Sequence, residues 1–480
     1  MIHYILMFHQ HCVTEELTPQ YLQDMIPMCM DQYKRIFCTV REPHEDVDKL
    51  VTHNSRHIII MRRGVYFKLD IYSVDNDGKE MILTVQEIHS ILQQIMNLTE
   101  DTTECCRIAS LTTQRRDIWA KQRTQLLGNP VNKSSITDVE TCVSMFCLDD
   151  ESPKTEEELA ATVMTGNGVN RWFDKSLEFI SFANGLVGVN AEHASADATI
   201  PGRLWEYFLT SEKYKNGKIE IDRNTRRKRL PIPERLEWEL DDFEQEIDIA
   251  LEGFKKIAES FDLRIVSPYY GKGLIKKKKM SPDGYIQMAL QLAFYRLHQK
   301  IPKTYESAST RIFAEGRTET IRPGSDYSVQ WVKSMHCEKA TREQRIMLLR
   351  KAVQFQTQVK IDTSLGMGWD RHLLGLFAVS HELQISPPAL FRDKAFWKPD
   401  ILSTSQTPTQ FTKQWRLDSS CIGGGFFPSA FDGYGVAYMV VGEDIIKFHV
   451  TTNYNCPTTS ATKMGDTIVE AMADMAELLS

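Results

Sequence analysis

Three pairs of short β-rich runs, each broken by a tight-turn signal and set among long helical patterns, constrain this chain's fold more than any other feature. Residues 57–61 and 65–72 are rich in Ile, Val, Phe and Tyr and are split by Arg62-Arg63-Gly64, the pattern of a hairpin. Residues 177–182 and 186–189 flank Ala183-Asn184-Gly185, where Asn and Gly tolerate the positive φ of a tight turn. The third pair, 434–441 and 445–450, brackets Gly442-Glu443-Asp444. A helix is expected over 282–297, opened by Ser281 as N-cap and by Pro282 at its first position, and another over 467–479. Strand pairs alternating with long helices argue for a mixed α/β or α+β fold, against an all-helical bundle or a β-sandwich.

A chain of 480 residues has room for two to four domains at roughly 100 to 200 residues each. The stretch 214–233 is polar and basic, ends in Pro231-Ile232-Pro233, and is expected to be an exposed excursion before a domain boundary near residue 238. Domains are therefore expected over 1–238 and 239–480. Lys and Arg number 57 against 64 Asp and Glu, a net charge of −7 that repels polyanions and argues against nucleic-acid binding. An anionic ligand would need a local basic patch. Ten cysteines with no CxxC pair suggest neither a disulfide framework nor a metal site, and a reduced, intracellular chain is expected. The start is apolar only over Met1 to Phe8, with no charged leader, and no apolar run approaches the roughly 18 residues that span a bilayer. A soluble or peripheral chain is the expectation.

No G-x-S-x-G elbow, Walker A loop, H-E-x-x-H or G-x-G-x-x-G pattern is present. Five constellations remain. His193 follows the second hairpin within Asn190-Ala191-Glu192-His193-Ala194-Ser195-Ala196-Asp197, where small neighbours leave room for a general base facing a cleft. Lys272 and the lysines at 276–279 lie on a loop with Gly271 and Gly273, point charges suited to a phosphorylated ligand. Residues 304–311 with Gly316-Arg317-Thr318-Glu319-Thr320 form a polar run unusual for a core segment. Arg371, a natural carboxylate clamp, opens an apolar helical pattern at 368–376. Ser403-Thr404-Ser405 and Gly423-Gly424-Gly425 offer hydroxyl donors beside a glycine run, a setting for an oxygen that becomes negative and a chain that passes close to the backbone. Read alone, each is equally an ordinary structural feature: a core histidine, a solvated loop, a helix-end ion pair, a turn.

Taken in order, these blocks resemble the choline/carnitine acyltransferase family, and within it the palmitoyltransferases of the mitochondrial outer-membrane type. Ile26-Pro27-Met28-Cys29, Arg171-Trp172-Phe173-Asp174-Lys175-Ser176 and Gly433-Tyr434-Gly435-Val436 add to the resemblance. It implies an α/β fold of two chloramphenicol-acetyltransferase-like domains with the active site in a tunnel between them. It implies that His193 is the general base and Ser405 the oxyanion donor, and that Asp197 pairs with Arg317. Lys272, Lys276 and Asp283 are then the coenzyme A site, Tyr305, Thr318 and Arg371 the site of the carnitine carboxylate, and Gly424 part of the acyl channel. L-carnitine and long-chain acyl-CoA are the implied substrates, with coenzyme A as substrate and no bound cofactor or metal. The implied setting is the cytosolic face of the mitochondrial outer membrane, with peripheral membrane contact.

Two departures stand out. After the histidine this chain has Ala194-Ser195-Ala196-Asp197-Ala198-Thr199 where the family's palmitoyltransferases carry Ser-Trp-Ala-Asp-Ala-Pro, so the base and acid remain without a large aromatic and a proline. The chain also begins inside the family's catalytic region, without the two transmembrane helices and the first part of the core. The competing expectation is therefore a truncated, catalytically impaired member that binds acyl-CoA or a partner without turnover. Choline acetyltransferase chemistry is disfavoured, since choline has no carboxylate for Thr318 and Arg371, and a short-chain acyltransferase is a further, less favoured alternative.

Overall fold

The first hairpin forms as its turn chemistry requires. Strands β1 (His57–Arg62) and β2 (Val65–Asp70) pair antiparallel with Arg62 opposite Val65, leaving Arg63 and Gly64 as a two-residue turn. Both turn residues have positive φ, 51° and 73°, as a primed hairpin turn demands. A Cβ on Gly64 would lie 2.4 Å from Cys105 Sγ, so the position admits no side chain. Arg63 lacks that backbone freedom and is tied down through its guanidinium, which donates to Asp150 Oδ2 and, at 3.1 Å, to the Thr99 carbonyl.

In this computed structural model the described residues are 1–22, 24–74, 78–102, 105–212, 230–407 and 423–480, with two short strands at 214–215 and 218–219. They divide into two units, each built on a six-stranded mixed sheet. In the first unit, β3 (Met145–Asp149) runs parallel to β1, β4 (Leu177–Phe182) parallel to β3, and β5 (Val187–Ala191) antiparallel to β4. The edge strand β6 (Glu234–Arg235) pairs antiparallel with β2, giving the order β5-β4-β3-β1-β2-β6. In the second unit, β7 (Phe261–Val266), β8 (Thr304–Ser309), β9 (Thr318–Ile321), β10 (Leu402–Thr407), β11 (Tyr434–Val441) and β12 (Ile445–Asn453) take the order β7-β12-β11-β10-β8-β9. Followed from β5 and from β9, both sheets show the same succession of pairings: antiparallel, parallel, parallel, antiparallel, antiparallel. The mixed α/β class and all three hairpins match the expectation from sequence.

The first unit comprises Met1–Pro19 and Met30–Glu259, and the second Gln20–Cys29 with described residues from 260 onward. The sequence suggested a division near 238, whereas by contact the first unit continues to Glu259. Trp238 lies 6.5 Å, ring to ring, from Trp172, and helix α2 (Glu244–Glu259) is anchored to the first unit where Arg107 Nη1 meets Asp248 Oδ1 at 2.7 Å. Gln20–Cys29 joins the second unit through buried Arg311, whose guanidinium donates to the Cys29 carbonyl at 2.9 and 3.0 Å and to Gln20 Oε1 at 2.9 Å. The basic excursion at 214–233 lies mostly outside the described residues.

One face of the second sheet is covered by helices. At their centre is α4 (Pro282–His298), capped by Ser281, whose Oγ accepts from Gly284 N–H. Tyr285, Ile286, Met288, Ala289, Leu290, Leu292 and Ala293 are all buried, and so are Gln287 and Gln291, so this helix is buried around its circumference with one polar stripe, which bonds to Thr404 and Thr304 of the sheet. It packs against α5 (Arg342–Asp362) and α7 (Ala461–Leu478). The last helix starts six residues before the 467 expected, because Ser460 Oγ caps Lys463 N–H and holds a polar first turn that periodicity does not reveal. Among the described residues no helix is long and apolar enough to cross a membrane.

In the first unit, the fully buried Glu178 on β4 accepts Trp172 N–H at 2.6 Å. Burial pushes its carboxyl up to about 7, with nearby Arg171 pulling the other way. A carboxyl raised in the folded state holds its proton more tightly there than in the unfolded chain, so its stabilisation is complete below the unfolded pKa and is lost as pH rises through about 7. Glu178→Gln removes this component. Thermal melts from about pH 5 to 8 should show wild type losing roughly 1–3 kcal/mol that the variant keeps.

Candidate functional site

The end of β5 delivers the chain to a turn at His193, just before helix α1 (Thr199–Ser211). The imidazole is largely exposed, and its Nδ1 lies 4.0 Å from Asp197 Oδ1. The backbone under it is braced from both sides. Glu192 accepts from Ala194 N–H at 2.8 Å and faces Arg41 Nη1 at 3.3 Å; Ser195 Oγ donates to the Glu192 carbonyl at 3.1 Å. Arg41 leads inward through Asp48 (2.8 Å) and Arg116 (2.7 Å) to Asp174, whose other oxygen accepts from Trp119 Nε1. Asp174 is pushed up to about 6 by burial, against the pull of Arg116.

Asp197 is buried and clasped by a residue that sequence reading did not single out. Gln32 donates through Nε2 to Asp197 Oδ2 at 3.0 Å and accepts Asp197 N–H on Oε1 at 2.8 Å. The reciprocal pair satisfies both a buried carboxylate oxygen and a backbone donor. No local signal could have found it, since the partners are 165 residues apart.

In the second unit the register sorts the candidate residues between two faces. Across the parallel β8–β10 pair Tyr305 lies opposite Ser403 and Glu306 opposite Thr404; across the antiparallel β8–β9 pair Ser309 lies opposite Thr318. Side chains alternate along a strand and paired residues share a face, so Tyr305, Thr318 and Ser405 all belong to the face opposite the helices. The glycine run crosses this same face. A Cβ on Gly423 would meet His449 Nε2 at 2.9 Å, and Thr451 Oγ1 donates to the Phe426 carbonyl at 2.7 Å. Arg371 lies in the first turn of α6 (Asp370–Glu382), where its N–H donates to the Glu319 carboxylate at 3.1 Å. Arg322 from just beyond β9 binds Asp370, so the start of this helix is fixed beside the strand that carries Thr318. Arg317 lies just before β9, its carbonyl accepting Thr310 N–H.

The helix-covered face carries a different set. Asp283 Oδ1 takes Tyr438 Oη–H at 2.7 Å and Lys360 Nζ at 2.7 Å, whereas Lys272 and Lys276, with which the resemblance groups it, meet Glu443 instead. Lys360 also approaches Glu306 at 3.4 Å, and Gln356 donates to Glu306 Oε2 at 2.7 Å. Burial, reinforced by the Asp283 charge, holds the Glu306 carboxyl above the usual range. Burial works to lower Lys360, but the charges of Asp283 and Glu306 more than offset it.

Lys272 and Lys276 lie on the short helix α3 (Lys272–Lys277). Both ammonium groups turn to one carboxylate oxygen, Glu443 Oε1, at 3.8 and 3.1 Å. Lys278 is used structurally, donating to the Leu479 carbonyl at 2.7 Å.

These groups sit in a two-unit mixed α/β chain, each unit built on a six-stranded sheet. The family model for choline/carnitine O-acyltransferases matches residues 1–470, and the chain belongs to that family. It is 37% identical to the liver isoform of human carnitine O-palmitoyltransferase 1 over 99% of this chain and 63% of that protein. It is 33% identical to carnitine O-acetyltransferase of Columba livia, over 100% of this chain and 76% of that one. To choline O-acetyltransferase of Mus musculus it is 33% identical, over 95% of this chain and 71% of that one. The chain thus spans less than two thirds of the length of the human palmitoyltransferase.

Replacing Gln32 by Leu should leave the Asp197 N–H and one carboxylate oxygen without these partners. The expected loss in a urea unfolding series is about 1–3 kcal/mol. A value within error of wild type would show that water replaces the clasp.

Proposed function

We propose that this chain transfers a long-chain acyl group directly between coenzyme A and L-carnitine. The observation that carries the long-chain part is the space at Gly424. Its φ lies outside the left-handed region, and among the described residues a Cβ there would meet only Thr407, at 3.8 Å. Neighbouring Gly423, by contrast, has φ +109° and would drive a Cβ against His449. The bend therefore needs glycine at 423, whereas at 424 neither the backbone nor any described neighbour requires it, which fits a position kept bare for a passing acyl tail. Family membership, with relatives named for palmitoyl and acetyl transfer to carnitine, supports the reaction class.

In this reading His193 takes the proton from the carnitine hydroxyl as its oxygen attacks the thioester carbonyl. The carbonyl oxygen becomes negative, and the Ser405 hydroxyl donates to it, with the trimethylammonium of carnitine adding its charge. The intermediate collapses by breaking the carbon–sulfur bond, and the departing thiolate recovers the proton from His193. No acyl-enzyme forms. Thr318, Tyr305 and Arg371 hold the carnitine carboxylate, the guanidinium offering paired donors. Asp197, clasped by Gln32 and paired in this reading with Arg317, steadies the segment that carries the base. Lys272 and Lys276 meet coenzyme A phosphates, and Asp283, held beneath the helices by Tyr438 and Lys360, is assigned to the same substrate by the family resemblance alone. The mitochondrial outer membrane is the location this reading carries over.

His193→Ala should lower transfer from palmitoyl-CoA to carnitine by about 10²- to 10⁴-fold while acyl-CoA still binds. Near-normal turnover would remove His193 from the mechanism. Gly424→Met should abolish most activity on palmitoyl-CoA and spare acetyl- or butyryl-CoA, because each methylene excluded from the channel forfeits roughly 0.8 kcal/mol. A uniform fall across chain lengths would leave the glycine a role in folding only.

A further inference from the structure

Resting on the reading of Lys272 and Lys276 as phosphate-binding residues, we infer that Glu443 is an anion built into that site, occupying the lysine pair until a phosphate displaces it. Both ammonium groups converge on one oxygen, Glu443 Oε1, at 3.1 Å from Lys276 and 3.8 Å from Lys272. That oxygen therefore marks a point where a single anionic atom engages both lysines.

The backbone of Glu443 is fixed independently of its side chain. Its carbonyl accepts Gly273 N–H at 2.8 Å, and a Cβ added to Gly271 would come within 2.5 Å of the 443–445 backbone, so the β11–β12 turn lies directly against the lysine loop. The carboxylate itself is about half exposed, at 54%. It can swing into solvent without breaking the contacts that hold the turn. Lys276 is equally exposed, while Lys272 is mostly covered, so an arriving phosphate meets a pair whose charge is already partly neutralised. A phosphate brings more charge and more acceptor oxygens than a carboxylate and wins the exchange, but it must first displace Glu443. The carboxylate thus sets how tightly the site takes phosphate and discriminates against weaker anions.

Calorimetric binding of coenzyme A to the wild-type chain and to Glu443→Gln tests this, with pantetheine, which has no phosphate, as the control ligand. Removing a half-exposed competing ion pair should tighten coenzyme A binding by about two- to fivefold and leave pantetheine unchanged. The gain should shrink when salt is raised, because exposed charges are screened. It should also shrink in a Lys276→Gln background. Unchanged or weaker coenzyme A binding by Glu443→Gln would overturn the inference and make Glu443 a residue that positions the lysines; an equal gain for pantetheine would overturn it as well. Failure of the wild-type chain to bind coenzyme A at all would instead refute the phosphate-site reading on which it rests.

Discussion

The parallel pairing of β8 with β10 places Tyr305 opposite Ser403 and Glu306 opposite Thr404, and the division of labour in the second unit follows from that register. A slip of one residue would exchange the faces, turning Glu306 outward and Tyr305 into the helices. What holds the register is the polar network on the covered side. Gln287 from α4 donates to Thr404 Oγ1 at 3.0 Å, Thr404 Oγ1 donates to the Tyr305 carbonyl at 2.7 Å, and Gln356 and Lys360 from α5 meet Glu306. These groups lie beneath an otherwise apolar helix layer, where an unmatched polar atom is costly, so the bonds made in this alignment, which still leave Gln287 Oε1 without a partner, favour it over alignments that would break them.

The first unit uses a similar device at a different place. The turn that carries His193 has no helix or strand of its own to stiffen it. Its rigidity comes from side chains that reach it from elsewhere in the unit: Arg41 to Glu192, Arg35 to the Ser195 carbonyl, Gln32 to Asp197. The small residues around His193 leave space, and the surrounding charges and amides supply the order that bulk would otherwise provide. The missing tryptophan and proline of the family's usual segment fit this picture, since the clasp on Asp197 needs neither.

The comparison of Gly423 with Gly424 shows how a run of identical residues can carry different constraints. Gly423 is required by a positive φ and a close histidine, whereas Gly424 has no positive φ and, among the described residues, only Thr407 near the place of a Cβ. Sequence alone shows only that glycines are adjacent; the backbone angles and neighbouring atoms distinguish the two positions, and the channel at Gly424 is a proposal. Glu443 is a parallel case. In the sequence it is one residue of a Gly-Glu-Asp turn; beside Lys272 and Lys276 it becomes the group their charges meet.

Local rules determined the elements. Turn residues set the three hairpins, Ser281 and Pro282 set the start of the central helix, and the small residues after the second hairpin singled out His193, because turns, caps and strand alternation act over a few residues and are written in adjacent positions. The tertiary structure alone decided which face of the second sheet the helices cover, that Gln32 grips Asp197 from 165 residues away, and that the first unit continues past the Pro-rich stretch to Glu259. Those outcomes depend on packing and pairing between distant segments, which no local pattern encodes.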